Sequence, residues 1–194
     1  ASAVLPLLHQ LGLPHARFQA VVAPAAKRTR SGVDEVTFEF GANPGEAARK
    51  VSEAASGGEL SRIMLALHLV TGSDLPTVAF DEVDAGVGGE TAIHVGTLLK
   101  RLAGSRQVVV VTHLAQVAAF ADAHFKVEKV EANGRTVARV RRLNDDERAA
   151  ELARLLSGTL TETSLRHARE LLANAAEAPA LSGAGRGQAR AKNT

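Results

Sequence analysis

The middle of the chain alternates between apolar residues at helical spacing and short, continuously apolar runs. Residues 60–70 place their apolar side chains on one stripe, which predicts an amphipathic helix. Residues 77–80 and the valine-rich residues 107–112 predict short strands, the second of a kind that is buried on both faces. A further helix is predicted over residues 90–102. This helix–strand–helix–strand order predicts parallel strand pairing in an α/β fold.

The N-terminal segment predicts a short helix and then a hairpin. Residues 2–11 carry apolar residues at helical spacing, with Pro6 confined to the first turn. Residues 18–23 and 33–40 are predicted strands, joined by a basic loop over residues 27–32. A long loop is expected to follow, before the helix that starts near residue 57.

The C-terminal segment predicts a second hairpin between helices. Asn133-Gly134 is a strong hairpin signal, and it lies between the predicted strands 124–130 and 136–142. Helices are predicted for residues 114–121, 145–157 and 163–173.

Composition narrows the possible functions. The chain has six Phe, no Trp, no Tyr and no Cys, which argues against a base-stacking platform, a disulfide framework and a thiolate metal site. The net charge is +2, but residues 178–194 hold three cations and no acid. Without that tail, 20 basic residues stand against 21 acidic ones, so the body is not a strongly basic DNA-binding surface. No apolar run is long enough to span a membrane.

A hydroxyl, two glycines and a carboxylate stand directly before the central helix, as Ser56-Gly57-Gly58-Glu59. Glycines allow a phosphate to approach the backbone closely, and a helix N-terminus favours anions. Either Ser56 or Ser61 is suited to cap the helix or to donate to a phosphate oxygen. An ordinary helix start after a glycine turn explains the same residues equally well.

Two adjacent carboxylates follow the first central strand. In an open α/β sheet, ligands gather at the carboxyl ends of the strands. Asp81 is therefore a candidate ligand of Mg²⁺ through water, and Glu82 a candidate to orient or deprotonate an attacking water. The following loop carries Asp84, which either contacts a second molecule or lies in an ordinary turn, and it lacks the dinucleotide-binding fingerprint.

A histidine follows the valine strand. If the two strands are parallel neighbours, His113 lies at the same edge as Asp81 and Glu82. An imidazole at that edge is suited to hydrogen-bond a terminal phosphate and to sense its loss.

In this order and at this spacing, the motifs resemble the second half of an ABC-type ATPase head. The resemblance identifies Ser56-Gly57-Gly58-Glu59 with the signature motif, Asp81-Glu82 with Walker B, Asp84 with the D-loop and His113 with the H-loop. The sequence is most similar to the SMC-like branch of that family, which acts in DNA repair. The similarity covers residues 5–173, in the stretches 11–18, 55–66, 80–89, 112–122 and 152–172.

The resemblance implies a fold and a domain plan. The fold would be the C-terminal lobe of an ABC/SMC-type head, a mostly parallel sheet flanked by helices, with a β-hairpin. Residues 1–14 would be the end of a coiled-coil return helix and its linker, and residues 15–174 the lobe itself. Residues 175–194 would be a disordered basic tail.

No G-x-x-x-x-G-K-[ST] phosphate loop occurs in the 194 residues. The resemblance places that loop in an N-terminal lobe, across a long antiparallel coiled coil. It implies that ATP and Mg²⁺ are shared between two heads of an ATP-dependent homodimer. The signature residues and Asp84 would then meet the nucleotide of the partner head, with Asp81 on Mg²⁺, Glu82 on water and His113 on the γ-phosphate.

The expected role is ATP hydrolysis by the full-length protein in DNA double-strand-break repair and recombination. We expect a cytoplasmic, nucleoid-associated protein that reaches DNA through the full-length molecule and has no membrane contact. This chain alone is expected to be inactive, because it lacks the phosphate loop.

Three alternatives stay open. The chain could be a non-catalytic dimerisation or docking module that keeps an ABC-like lobe. It could be half of an ABC transporter ATPase, although that class usually has Gln in place of Glu59 and Pro in place of Val83. The lobe could also bind DNA directly through Lys27, Arg28, Arg30 and the basic tail.

Overall fold

A computed structural model describes residues 1–30, 32–72, 75–132 and 135–177 of the chain. Its helices are α1 (Leu5–Gln10), α2 (Val51–Ala54), α3 (Gly57–Thr71), α4 (Gly89–Ala103), α5 (Ala115–Ala118), α6 (Asp145–Ser157) and α7 (Glu162–Glu177). Its strands are β1 (Arg17–Thr29), β2 (Gly32–Gly41), β3 (Arg49–Lys50), β4 (Thr77–Phe80), β5 (Gln107–Val110), β6 (Phe125–Ala132) and β7 (Arg135–Arg142).

Strands β4 and β5 pair in parallel, as the order of elements predicted. Their register runs from Thr77 opposite Gln107 to Phe80 opposite Val110. The other sheets of the described residues are antiparallel: β1, β2 and β3 form one, and β6 and β7 form a hairpin. The mixed α/β class is therefore confirmed. Among the described strands only β4 and β5 pair in parallel, so the strands of this chain alone do not form the expected mostly parallel sheet.

The valine strand differs from its prediction. Val108 and Val110 pack against the main core, but Val109 is 48% exposed and Val111 is 64% exposed. The expectation of burial on both faces is wrong for this chain, because its own core covers only one face of the strand.

Three segment boundaries also differ from prediction. β1 continues to Thr29, so most of the predicted basic loop is strand. The predicted loop before α3 contains β3 and α2. α7 continues to Glu177 and buries Ala175, so the first residues assigned to the tail are helical. The turn at residues 133–134 and the tail at 178–194 lie outside the described residues.

The main core joins the N-terminal helix to the central elements. Leu8 and Leu11 are fully buried, together with Phe40 of β2, Ile63 of α3 and Val95 of α4. The segment assigned to residues 1–14 thus packs into the lobe. A second core lies among α5, α6 and α7, where Leu152, Ala153 and Ala168 are fully buried. No helix in the described part of the chain combines the length and the apolarity that a membrane span needs.

Helix α4 and the residues that follow α5 approach closely at Gly96. A Cβ added at Gly96 would lie 2.3 Å from a ring carbon of Phe120. Replacing glycine by alanine normally strengthens a helix by about 1 kcal/mol. Here we expect Gly96→Ala to destabilise the fold, because overpacking of this kind costs about 1–3 kcal/mol. Thermal unfolding followed by circular dichroism measures the effect.

The control for that prediction is a double mutant. Phe120→Leu removes the ring that a Cβ at Gly96 would meet. Gly96→Ala should therefore cost less in the Phe120→Leu background than in the wild type. An equal cost in both backgrounds would show that the close contact is not the cause.

The half-buried His124 makes stability depend on pH. Burial, and next the charge of Arg148, lower the pKa of His124 below its ordinary value of 6.5, and its Nδ1 has no hydrogen-bond partner among the described residues. The unfolded state then binds more protons near pH 6, so the free energy of unfolding falls as the pH drops from about 7.5 to about 5.5. Burial also lowers the pKa of His68, with the same sign.

We therefore expect His124→Gln to lose less stability than the wild type over this pH range. Urea unfolding at the two pH values measures the difference. Parallel losses in the two proteins would exclude His124 as a source of the pH dependence.

Candidate functional site

The candidate site lies where β4 and β5 end side by side. Phe80 is the last residue of β4, and its carbonyl accepts a hydrogen bond of 3.0 Å from the Val111 N–H just beyond β5. Asp81 and Glu82 follow β4, and Thr112 and His113 follow β5. The structure thus brings the predicted carboxylates and the predicted histidine to one edge of the parallel pair.

Asp84 ties the two strand exits together. Its side chain is only 3% exposed, and its Oδ2 accepts hydrogen bonds from the Thr112 hydroxyl and, at 3.2 Å, from the His113 N–H. The Asp84 carboxylate is thus buried against its own chain, and a contact of Asp84 with a second molecule stays a prediction. Asp84 fixes the loop after β4 relative to the loop after β5.

The imidazole of His113 is exposed to solvent, while its backbone N–H is bound to Asp84. The side chain is 74% exposed, and its Nδ1 lies 3.3 Å from Oδ2 of Asp84. Thr112, which the sequence pattern did not single out, also accepts a 3.0 Å hydrogen bond from the Leu114 N–H through its hydroxyl. The histidine is therefore presented from an ordered turn, with one ring nitrogen directed towards a buried carboxylate.

Ser56 and Glu59 form a capping box at the start of α3. The Ser56 Oγ accepts from the Glu59 N–H at 3.4 Å, and the Glu59 carboxylate accepts from the Ser56 N–H at 2.8 Å. The Ser56 hydroxyl also donates to that carboxylate at 2.9 Å. Glu59 therefore serves here as a helix cap, and its direct contact with a nucleotide stays a prediction.

The two glycines at the start of α3 admit the turn that follows β4. A Cβ added at Gly57 would lie 2.3 Å from Oε2 of Glu82, and one added at Gly58 would lie 2.8 Å from the Cβ of Ala85. Gly58 is thus required by close packing within the chain, whereas the Glu82 side chain that approaches Gly57 is exposed and could move aside. This contact places the Glu82 carboxylate directly beside the N-terminus of α3.

Glu82 has a strained backbone. Its φ is +56°, and no other non-glycine residue in the described ranges has a positive φ. The left-handed region costs a residue with a Cβ about 1–2 kcal/mol. The Glu82 N–H is held at 2.9 Å by the side chain of Asp81. Such strain is typical of positions where the direction of a side chain matters more than local stability.

Two further residues hold the same turn, and their roles were not evident from sequence patterns. The Ser61 Oγ donates to the Asp81 carbonyl at 2.6 Å. The buried Arg62 donates from its Nη1 to the Ala85 carbonyl at 2.7 Å. The one sequence signal for these roles is the position of Ser61 and Arg62 on α3, shortly after the two glycines.

Asp81 is the candidate metal ligand. It is exposed, and one of its carboxylate oxygens accepts from the Glu82 N–H. Within the described ranges there is no group of three His, Cys, Asp or Glu side chains that could enclose a metal ion. A single carboxylate fits Mg²⁺, which keeps most of its waters and takes further ligands from phosphate groups.

No protein-family model matches the chain. Among curated relatives, the DNA repair protein RecN of Deinococcus radiodurans is 54% identical over 170 residues, which is 88% of this chain and 30% of that protein. The RecN protein of Streptomyces coelicolor is 46% identical, and the match covers 90% of this chain and 33% of that protein. The RecN protein of Rickettsia prowazekii is 45% identical, with coverage of 85% and 30%.

Solved structures show the same fold. The Smc head domain with a coiled coil and joint from Pyrococcus yayanosii aligns with a TM-score of 0.53 at 22% identity, covering 91% of this chain and 29% of that one. The Smc head domain from Pyrococcus furiosus, bound to the C-terminal domain of ScpA, aligns with a TM-score of 0.52 at 22% identity. That match covers 75% of this chain and 35% of the other.

The relatives and the solved structures agree with each other. The chain spans about a third of the length of the curated relatives it matches, whereas those matches cover most of the chain. On these grounds the chain is homologous to part of the RecN DNA repair protein and has the fold of part of an Smc head domain.

Proposed function

We propose that this chain is the C-terminal lobe of the ATP-binding head of a RecN-like protein. The head would dimerise on ATP and hydrolyse it during DNA double-strand-break repair and recombination. The observation that carries the proposal is the shared edge at which Asp81, Glu82 and His113 lie beside the Ser56-Gly57-Gly58 turn.

Each residue has a proposed part in the reaction. Bound ATP–Mg²⁺ would supply the phosphoryl group and the positive charge that stabilises its transfer. Asp81 would hold the cation through water, Glu82 would orient the attacking water, and His113 would donate a hydrogen bond to the γ-phosphate. Ser56 and the two glycines would close over the nucleotide of the partner head, where the free N–H groups of α3 favour an anion.

An N-terminal lobe that carries the phosphate loop is the proposed intramolecular partner. Two observations support it. Val109 and Val111 expose a face of the valine strand, and in the described chain β5 pairs only with β4. Parallel strands are normally covered on both faces, so this face and this edge suit further protein. In the same proposal, α1 is the end of the coiled-coil helix that returns to the head. The full-length protein, rather than this chain alone, binds DNA.

Replacing Glu82 with Gln tests the assignment of the water-orienting group. In the full-length protein we expect Glu82→Gln to bind ATP and dimerise, while turnover falls by about 100-fold or more, since general-base contributions are about 10²–10⁴-fold. Steady-state ATPase assays and light scattering measure the two properties. Glu90→Gln, an exposed acid in the first turn of α4, is the matched control and should behave as wild type. Unchanged turnover in Glu82→Gln would remove Glu82 from this role.

The absence of a phosphate loop predicts the behaviour of the isolated chain. Residues 1–194 alone should bind ATP weakly and hydrolyse none, because no Walker A lysine is present. Addition of the N-terminal lobe should restore Mg²⁺-dependent hydrolysis, measured as phosphate release. Robust turnover by the purified chain alone would contradict the half-site assignment.

A further inference from the structure

Arg62 is a buried charge next to the candidate site. It lies on α3, its side chain is largely inaccessible at 6% exposure, and its Nε has no hydrogen-bond partner among the described residues. Burial lowers the pKa of its guanidinium, and the charge of Glu59 opposes that shift. A buried cation destabilises a fold unless its bonds repay the desolvation, whereas an apolar side chain of similar size would not.

The bonds that Arg62 makes all reach one turn. Its Nη1 donates to the Ala85 carbonyl at 2.7 Å, with a longer contact of 3.5 Å to the Val83 carbonyl. The turn is closed by a 3.0 Å hydrogen bond from the Ala85 N–H to the Glu82 carbonyl. Arg62 therefore binds the far end of the turn that Glu82 begins.

Other contacts hold the near end of the same turn against α3. Ser61 donates to the Asp81 carbonyl at 2.6 Å, and a Cβ added at Gly58 would lie only 3.1 Å from the Glu82 carbonyl oxygen. Backbone and side-chain contacts thus bind residues 81–85 to the first two turns of α3. The bonds from Ser61 and Arg62 are short, at 2.6 and 2.7 Å, and the start of α3 packs closely on the turn, so the two segments are expected to move as one body.

The turn is bound on its other side to the exit of β5. Asp84, in the middle of the turn, accepts from Thr112 and from the His113 N–H. A continuous set of contacts therefore runs from the start of α3, through Arg62 and the 81–85 turn, to His113.

We propose that Arg62 is a positioning residue that couples the two nucleotide sites of the head dimer. The inference rests on the proposed function, in which the α3 turn of one head closes over the nucleotide of the other head. Glu82 and His113 of the first head serve that head's own nucleotide. Arg62 bonds the start of α3 to the turn that carries Glu82. Closure of the α3 turn over the nucleotide at one site therefore shifts the water-orienting carboxylate at the other site.

Cooperativity of ATP hydrolysis is the property that distinguishes coupling from simple structural support. In the full-length protein we expect Arg62→Met to lower kcat by at least tenfold and to reduce the Hill coefficient for ATP towards one. The affinity of undimerised heads for ATP, measured with a fluorescent analogue at low protein concentration, should stay within twofold of wild type. Arg62→Lys should recover part of the cooperativity, because an ammonium group can still donate to the Ala85 carbonyl. Wild-type kcat and Hill coefficient in Arg62→Met would overturn the inference.

Arg148 provides the matched control. It is also partly buried, has an unpartnered Nε, and donates to backbone carbonyls, at 2.7 Å to Ala119 and 2.5 Å to Ala121. Arg148→Met should lower the melting temperature to a similar degree as Arg62→Met while cooperativity is retained. Equal loss of cooperativity in both variants would assign the effect to general destabilisation and would overturn the coupling role.

Hydrogen exchange tests the contact between Arg62 and the 81–85 turn in the absence of nucleotide. In nucleotide-free full-length protein, the amides of residues 83–87 should exchange at least tenfold faster in Arg62→Met than in wild type. Unchanged exchange would overturn the inference even if the protein proves to be an ATPase. Conversely, an absence of ATP turnover in the wild-type protein would overturn the proposed function. Faster exchange in Arg62→Met would still support the contact between Arg62 and the 81–85 turn. If Arg62→Met does not fold, Arg62→Lys is compared with wild type by the same measurements. An intermediate loss of kcat and cooperativity is expected, and wild-type values together with unchanged exchange would overturn the inference.

Discussion

The parallel pairing of β4 with β5 is the constraint on which the candidate site depends. Four residue pairs in register, from Thr77 opposite Gln107 to Phe80 opposite Val110, make both strands end at the same level. Parallel strands run in one direction, so their exits must meet at one edge. Residues about thirty positions apart in the chain, Asp81 and His113, are therefore brought to that edge by backbone pairing rather than by contact with each other.

The turn after β4 is held by two buried charged groups, a carboxylate and a guanidinium, whose burial costs desolvation free energy. Asp84 directs a buried carboxylate to the exit of β5, and Arg62 directs a buried guanidinium to the carbonyl of Ala85. Between them, Glu82 adopts a positive φ and its carboxylate lies against Gly57. The turn contains a buried carboxylate and a strained residue, and a buried guanidinium on α3 bonds to it. Each of these lowers stability, so the arrangement is typical of a site in which orientation is selected.

The exposed features of the lobe are consistent with half of a composite site. Val109 and Val111 leave a face of the valine strand exposed, and the exposed Asp81 carboxylate stands where a cation would need further ligands. The charge pattern fits the same view, since the Ser56-Gly57-Gly58 turn offers N–H groups to an anion but the sequence has no phosphate loop to hold one. Each of these features suits completion by protein and nucleotide from outside this chain.

Local sequence signals determined where the helices α3 and α6 begin and which short segments form strands. The capping pairs Ser56 with Glu59 and Asn144 with Glu147 act within four residues, so α3 and α6 could be predicted from the sequence by itself. The burial of Asp84, the role of Arg62 and the exposed face of the valine strand were decided only by the tertiary structure. Asp84 and Arg62 are bound by residues more than twenty positions away, and the exposure of Val109 depends on which faces the chain itself can cover. Such distant partners leave no periodic or local pattern in the sequence, because they are set by packing.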